Sequence, residues 1–122
     1  MDVAKTVLVV DDDLAIRHLL EEYLLDAGYQ VQLAADGRAA LALVAQSRPD
    51  LLLVDLTMPR MSGWDLMREL AAQESTASIP IILLSASREI WAAAARYSVA
   101  ACFDKPLELD EIVEKIGEIL YP

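Results

Sequence analysis

Carboxylate side chains follow two apolar runs of the sequence. Asp11, Asp12 and Asp13 come directly after the first run, and Asp55 comes directly after the second. If the two runs are neighbouring strands of a parallel sheet, Asp11, Asp12 and Asp55 share one small volume at its carboxyl edge. Like charges that share a site repel one another unless a cation intervenes, and a hard divalent cation with oxygen ligands is the ordinary solution. We therefore predict a Mg²⁺ site, because this ion takes one or two carboxylates, keeps several waters and binds phosphate oxygens.

Two further polar side chains are predicted to reach the same edge. Ser85 follows the apolar run Ile81–Leu84, and Lys105 comes two residues after the run Ala100–Phe103. A lysine can pair with a carboxylate at rest or with a phosphoryl oxygen after transfer, and a serine adds a short hydroxyl donor. A carboxylate, a cation, a lysine and a hydroxyl around one point suit phosphoryl transfer, and aspartate is a known covalent acceptor of phosphoryl groups. Asp55 stands alone at its strand end, so we predict that it is the nucleophile.

Single acids also have a simpler interpretation. Asp12 or Asp13 could serve only to cap the helix that follows them, as aspartate commonly does at helix starts. That alternative stays open for each acid taken separately. It does not account for the joint arrangement with Asp55.

Five predicted strands alternate with five predicted helices. The strands cover 6–10, 29–34, 51–54, 81–84 and 100–103. The first helix lies between Asp13 and Gly28, and the others cover 38–46, 63–72, 89–97 and the segment from Leu109 to Leu120. The first, third and fourth strands are unbroken apolar runs, which is typical of strands covered on both faces. This pattern predicts an α/β fold with a flavodoxin-like five-stranded parallel sheet, strand order 2-1-3-4-5, and helices on both faces.

Length and charge narrow the class of protein. With 122 residues the chain has room for one domain, which we take as residues 1–122 with no effector domain in this chain. A net charge of -10 argues against direct binding to nucleic acid. No apolar run approaches the length of a membrane span and no signal peptide is evident, so a cytoplasmic location is expected. A single cysteine, Cys102, excludes an intramolecular disulfide.

Four sequence motifs, in this order, resemble those of the receiver domain of two-component response regulators. The resemblance is to the type of receiver found in the chemotaxis regulators. The resemblance covers essentially the whole chain. It is carried by Val7-Leu8-Val9-Val10-Asp11-Asp12-Asp13, by Leu52-Leu53-Val54-Asp55-Leu56-Thr57-Met58-Pro59 with Met61-Ser62-Gly63, by Leu84-Ser85-Ala86, and by Asp104-Lys105-Pro106.

The resemblance implies a role for each matching residue. Asp55 would be the phosphoacceptor, and Asp11 and Asp12 the acidic pair that holds Mg²⁺ together with Asp55. The backbone carbonyl of Thr57 would be a further metal ligand, Ser85 the switch hydroxyl, and Lys105 the phosphate-pairing lysine. The resemblance also implies a cis peptide bond between Lys105 and Pro106.

The resemblance implies partners as well. A sensor histidine kinase or a phosphotransfer protein would supply the phosphoryl group, and the domain would catalyse its own phosphorylation and dephosphorylation without being a conventional enzyme. Phosphorylation would then change a surface that we call the output face: the predicted helix 89–97, the predicted strand 100–103 and the helix from Leu109 to Leu120. A downstream protein or effector domain would bind there, and homodimer formation is left open.

Two positions depart from the family pattern, so an alternative function stays open. Cys102 stands where many members carry an aromatic residue, and Phe103 is expected to face the other side of the strand. Ser98-Val99 replaces a common Gly-Ala. The alternative is a receiver-like module that binds its partner regardless of phosphorylation. A phosphatase of the haloacid dehalogenase type is a second rival, but Thr57 stands where its second aspartate is needed.

Overall fold

Parallel strands and helices alternate along the chain, in a computed structural model that describes residues 4–56, 62–84, 92, 94–95 and 97–122. The strands are β1 (Thr6–Val10), β2 (Gln30–Ala34), β3 (Leu51–Asp55), β4 (Ile81–Leu84) and β5 (Val99–Phe103). The described helices are α1 (Leu14–Asp26), α2 (Gly37–Gln46), α3 (Gly63–Ala71), α4 (Glu74–Ala77) and α5 (Leu109–Leu120). All five predicted strands are present.

One described helix was not predicted, and one predicted helix is not tested by the described residues. The short helix α4 was not predicted, because four residues cannot show a helical period. Most of the predicted helix 89–97, including Trp91, lies outside the described residues. Within the described ranges, no helix is both long and apolar enough to cross a membrane.

The sheet order is β2-β1-β3-β4-β5, with each neighbouring pair parallel. This is the predicted flavodoxin-like order. The strands β1 and β3 are neighbours in the middle of the sheet, and their register pairs Val10 with Val54. The next residues along each strand, Asp11 and Asp55, therefore emerge side by side at the carboxyl edge.

The sheet is covered on both faces, as the apolar strands predict. Alternate residues of β1 and β3 point to opposite faces, so Val7 and Val9 lie in one apolar cluster and Leu8 and Val10 in the other. Helices α1 and α5 cover the first cluster, and α2 and α3 cover the second. Burying an aliphatic side chain of this size contributes about 1.5–3 kcal/mol. The central strands are thereby fixed, and with them the positions of the loops that they carry.

Candidate functional site

Three carboxylates meet where β1 and β3 end. Asp11, Asp12 and Asp55 each offer one oxygen, and these oxygens all lie within 4.8 Å of one another. Asp11 is 0% exposed and Asp55 is 4% exposed, whereas Asp12 is exposed to solvent. The structure therefore brings together the three acids that the sequence pattern grouped. Two are held in the protein interior and one is open to solution.

Asp11 has one carboxylate oxygen that is bound and one that is not. Its Oδ1 accepts a hydrogen bond of 2.9 Å from the backbone N–H of Asp13. Its Oδ2 is buried and, within the described ranges, has no hydrogen-bond donor. Burial raises the pKa of Asp11 above its ordinary value, and the negative charges of Asp55 and Asp12 add to this effect. The hydrogen bond from the Asp13 N–H and the positive charge of Lys105 lower the pKa of Asp11, but they do not cancel the rise.

Lys105 supplies a positive charge from the loop after β5. Its Nζ lies 3.8 Å from Asp11 Oδ2 and 3.7 Å from Asp55 Oδ2. The ammonium therefore pairs with both buried acids at a distance beyond hydrogen bonding, and it remains 38% exposed. The peptide bond from Lys105 to Pro106 is cis, as the family resemblance implied.

The donor set fits a small hard cation. Three carboxylates at one point carry more negative charge than one lysine neutralises, and Asp11 Oδ2 is a buried acceptor with no donor in the described part. Mg²⁺ prefers carboxylate oxygens and usually keeps several waters, which would suit a site where Asp12 is exposed to solvent. Asp11, Asp12 and Asp55 are the residues that could hold the ion.

Asp13 has a structural task in the same turn. Its Oδ1 accepts hydrogen bonds from the backbone N–H groups of Ala15 at 2.9 Å and Ile16 at 3.3 Å, so it caps the N-terminus of α1. The capping interpretation that the sequence left open is correct for Asp13. The described structure assigns no capping hydrogen bond to Asp12, whose carboxylate belongs to the acidic cluster.

The first residue of α3 lies in close contact with the end of β3. A Cβ at Gly63 would lie 2.6 Å from the carbonyl oxygen of Asp55 and 2.8 Å from Cα of Leu56, so only glycine fits. Ser62 and Asp65 form a reciprocal capping box that fixes the start of α3. The spacing of Ser62 and Asp65 could have predicted this cap from the sequence, but the close approach of Gly63 leaves no such signal.

Arg17 also contacts the site, which the sequence did not indicate. Its side-chain Nη1 donates a hydrogen bond of 2.8 Å to the backbone carbonyl of Asp11. Arg17 lies on the second turn of α1 and is half-buried. No motif or periodicity distinguishes this arginine from an ordinary helix residue.

Two of the predicted site residues cannot be placed. Thr57 and Ser85, which follow β3 and β4 in the sequence, lie outside the described residues. Their predicted roles as a carbonyl ligand and a switch hydroxyl stay predictions.

The strand β5 presents its cysteine and its phenylalanine to opposite faces. Cys102 packs against the cluster beneath α2 and α3, and Phe103 packs against the cluster beneath α1 and α5. The prediction that Phe103 points away from the face of Cys102 is therefore confirmed. Burial, followed by the charge of Asp104, raises the pKa of Cys102 to about 11. Cys102 packs against apolar neighbours as a small side chain, but it is half-buried and not fully buried.

Two aromatic residues pack together near the same cluster. The rings of Trp64 and Tyr97 have centroids 6.5 Å apart and are tilted by 55°. Both side chains are half-buried against the cluster beneath α2 and α3. The observed contact of Tyr97 with Trp64 is a packing contact.

Residues 7–117 match the family model of the response regulator receiver domain. The chain belongs to the response regulator receiver family. It is similar to response regulator MprA of Mycolicibacterium vanbaalenii, with 37% identity over 93% of this chain and 49% of that protein. It is also similar to the DNA-binding dual master transcriptional regulator RpaA of Synechocystis sp., with 34% identity over 93% of this chain and 48% of that protein. The receiver chain thus spans about half the length of the curated relatives it matches.

Solved receiver structures share the fold. The chemotaxis protein CheY4 of Vibrio cholerae superposes with a TM-score of 0.89 at 30% identity, covering 96% of this chain and 99% of that one. A signal receiver domain of a histidine kinase from Syntrophus aciditrophicus superposes with a TM-score of 0.86 at 28% identity, covering 96% and 90%. Response regulators interact with histidine kinases and effector domains, and receiver domains typically bind Mg²⁺ at an acidic pocket.

Proposed function

We propose that this receiver domain accepts a phosphoryl group on Asp55 from a histidine kinase or a phosphotransfer protein. One observation carries the proposal: the carboxylate of Asp55 is buried beside Asp11 and Asp12, with Lys105 Nζ 3.7 Å from it. An isolated buried carboxylate would be costly, and this one has a cation beside it and two further acids able to bind a metal.

The proposed transfer moves one phosphoryl group between two side chains. A carboxylate oxygen of Asp55 forms a bond to phosphorus as the phosphorus–nitrogen bond of a phosphohistidine breaks, and the released imidazole takes a proton. Bound Mg²⁺, held by Asp11, Asp12, Asp55 and the Thr57 carbonyl, would neutralise charge that spreads over the phosphoryl oxygens. Lys105 supplies a second positive charge and holds it near Asp55 before and after transfer.

The proposed switch follows from the new charge on Asp55. The acyl phosphate has more acceptor oxygens and more negative charge than the carboxylate, so Lys105 and Ser85 are drawn toward it. The segments that carry Ser85 and Lys105 then change, and the output face of the predicted helix 89–97, β5 and α5 shifts between two states. A downstream protein or an effector domain reads that face. We propose that residues 1–122 act as one receiver domain and that it works in the cytoplasm.

The alternative proposal is a receiver-like module whose partner binding ignores phosphorylation. Cys102 is the observation that favours it, because this position lacks the aromatic ring that many receivers use to couple the site to the output face. In this case, a partner would bind the wild type with the same affinity whether or not Asp55 is phosphorylated. A change in affinity on phosphorylation would contradict the alternative.

Intact-protein mass after incubation with Mg²⁺ and a small acyl phosphate donor tests the main proposal. We expect the wild type to gain one phosphoryl group, about 80 Da, and Asp55→Asn to gain none. Asp36→Asn is the matched control, because Asp36 is a buried acid at the same sheet edge that caps α2 outside the cluster. It should be labelled like the wild type. Equal labelling of Asp55→Asn and the wild type would contradict the proposal.

A further inference from the structure

The peptide group between Asp11 and Asp12 joins two of the three acids of the cluster. The backbone N–H of Asp11 donates to the carbonyl of Ala34 at 3.1 Å, and its side chain accepts from the N–H of Asp13 at 2.9 Å. Asp11 is thus fixed by β2 and by its own turn. Asp12 is exposed, so its direction depends on the peptide groups on either side of it.

Arg17 binds the first of these peptide groups. Its Nη1 donates to the Asp11 carbonyl at 2.8 Å from one turn into α1. That carbonyl belongs to the peptide bond that leads into Asp12, so a rotation of this peptide would swing the Asp12 carboxylate away from Asp11 and Asp55. The guanidinium is planar and presents fixed N–H directions, so it restrains the peptide more strongly than a flexible ammonium would.

We propose that Arg17 is a positioning residue for the acidic cluster, which holds Asp12 in the direction that a divalent cation requires. This inference rests on the proposed function, because it concerns the cation site of the phosphoryl transfer. Arg17 acts through the main chain, and its contact is to a carbonyl oxygen.

Positioning and charge make opposite predictions for Mg²⁺ binding. If Arg17 were only a positive charge near the cluster, its removal would lower the repulsion of Mg²⁺ and binding would become tighter. If Arg17 positions Asp12, its removal weakens binding. Partners that orient metal ligands typically contribute about 10–100-fold in affinity, and we expect the lower end here because Asp11 keeps its other contacts.

The test is Mg²⁺ affinity, measured by isothermal titration calorimetry on the full chain. Arg17→Met keeps an apolar stem and loses both charge and hydrogen bond, and we expect affinity to fall about tenfold. Arg17→Lys keeps the charge and one flexible donor, and its affinity should lie between those of Arg17→Met and the wild type. Circular dichroism confirms folding of each variant, and Arg17→Lys decides the question if Arg17→Met does not fold.

Arg48→Met is the matched control. This substitution removes the same charge and a hydrogen bond of the same kind, which Arg48 Nε donates to the carbonyl of Ser75 at 3.0 Å. Arg48 follows α2 and lies at the opposite edge of the sheet from the acidic cluster. It should leave Mg²⁺ affinity unchanged. A folded Arg17→Lys or Arg17→Met with affinity equal to or above that of the wild type would overturn the inference. Absence of Mg²⁺ binding in the wild type would instead count against the proposed function.

Discussion

Gly63 packs directly against the main chain of Asp55. A Cβ at position 63 would lie 2.6 Å from the Asp55 carbonyl oxygen, closer than nonbonded atoms approach. The N-terminus of α3 is therefore seated on the last residue of β3. This contact sets the path of the chain on both sides of the loop that follows the proposed phosphoacceptor.

Replacing Gly63 by alanine should disturb both stability and the site. We expect Gly63→Ala to lower the free energy of unfolding by about 1–3 kcal/mol, because the backbone atoms of β3 cannot yield as a flexible side chain would. Urea denaturation measures this change. Gly117→Ala is the control. Its Cβ would lie 3.8 Å from the nearest atom, the Tyr29 hydroxyl oxygen, and alanine has a higher helix propensity than glycine. Equal destabilisation of the two variants would contradict the close-contact argument.

Lys105 competes with a cation for the buried acids. Lys105→Met removes an ammonium that lies 3.8 Å from Asp11 and 3.7 Å from Asp55, so Mg²⁺ should bind about threefold more tightly or better. Titration calorimetry measures this, with Lys115→Met as a control because Lys115 pairs only with Glu118 on α5 among the described residues. Weaker Mg²⁺ binding by Lys105→Met would show that the lysine organises the site instead of competing there. The direction is opposite to that expected for Arg17→Met.

The ionised carboxylate of Asp11 should lower the stability of the folded protein when no cation is bound. Burial raises its pKa in the folded state above the ordinary value of 3.8, so the ionised form is disfavoured at neutral pH. A raised carboxyl pKa means that this cost is present above the folded-state pKa and is relieved as pH falls through it. We expect Asp11→Asn to be more stable than the wild type at pH 7 without Mg²⁺, and this gain to shrink at acid pH. Thermal unfolding across pH tests it, and a gain that grows on acidification would contradict the sign.

Much of this architecture could be predicted from the sequence because it depends on local patterns. Unbroken apolar runs identified β1, β3 and β4, and the alternation of strands and helices predicted a parallel sheet. The flavodoxin-like order assumed for that sheet is the order that the structure has. The acidic cluster followed from that order, since Asp11 and Asp55 end neighbouring strands. Each of these inferences needed only the residue types and the parallel connection.

Other features could not be predicted because they depend on distances between elements. The contact of Arg17 with the Asp11 carbonyl depends on how the first turns of α1 sit above β1, and the sequence does not encode this as a pattern. The seating of Gly63 on Asp55 requires the packing of α3 against β3. Helix α4 is too short for periodicity to detect.

Cys102 should react slowly with thiol reagents. Its pKa is raised to about 11, and the thiolate is the reactive form, so at pH 8 the folded protein should react about a hundredfold more slowly than an accessible cysteine. The rate should rise with pH up to that value, and unfolding in urea should abolish the difference. Rapid labelling of the folded protein at pH 8 would contradict the burial argument.

The site of phosphorylation tests the central claim most directly. The wild type is treated with Mg²⁺ and an acyl phosphate donor, the acyl phosphate is trapped by borohydride reduction, and tryptic peptides are sequenced by mass spectrometry. Cleavage at Lys5, Arg17, Arg38 and Arg60 separates the peptide with Asp11 and Asp12 from the peptide with Asp55. We predict a reduced residue at Asp55 alone, and only when Mg²⁺ is present. A reduced residue at Asp11 or Asp12, or none at Asp55, would contradict the account.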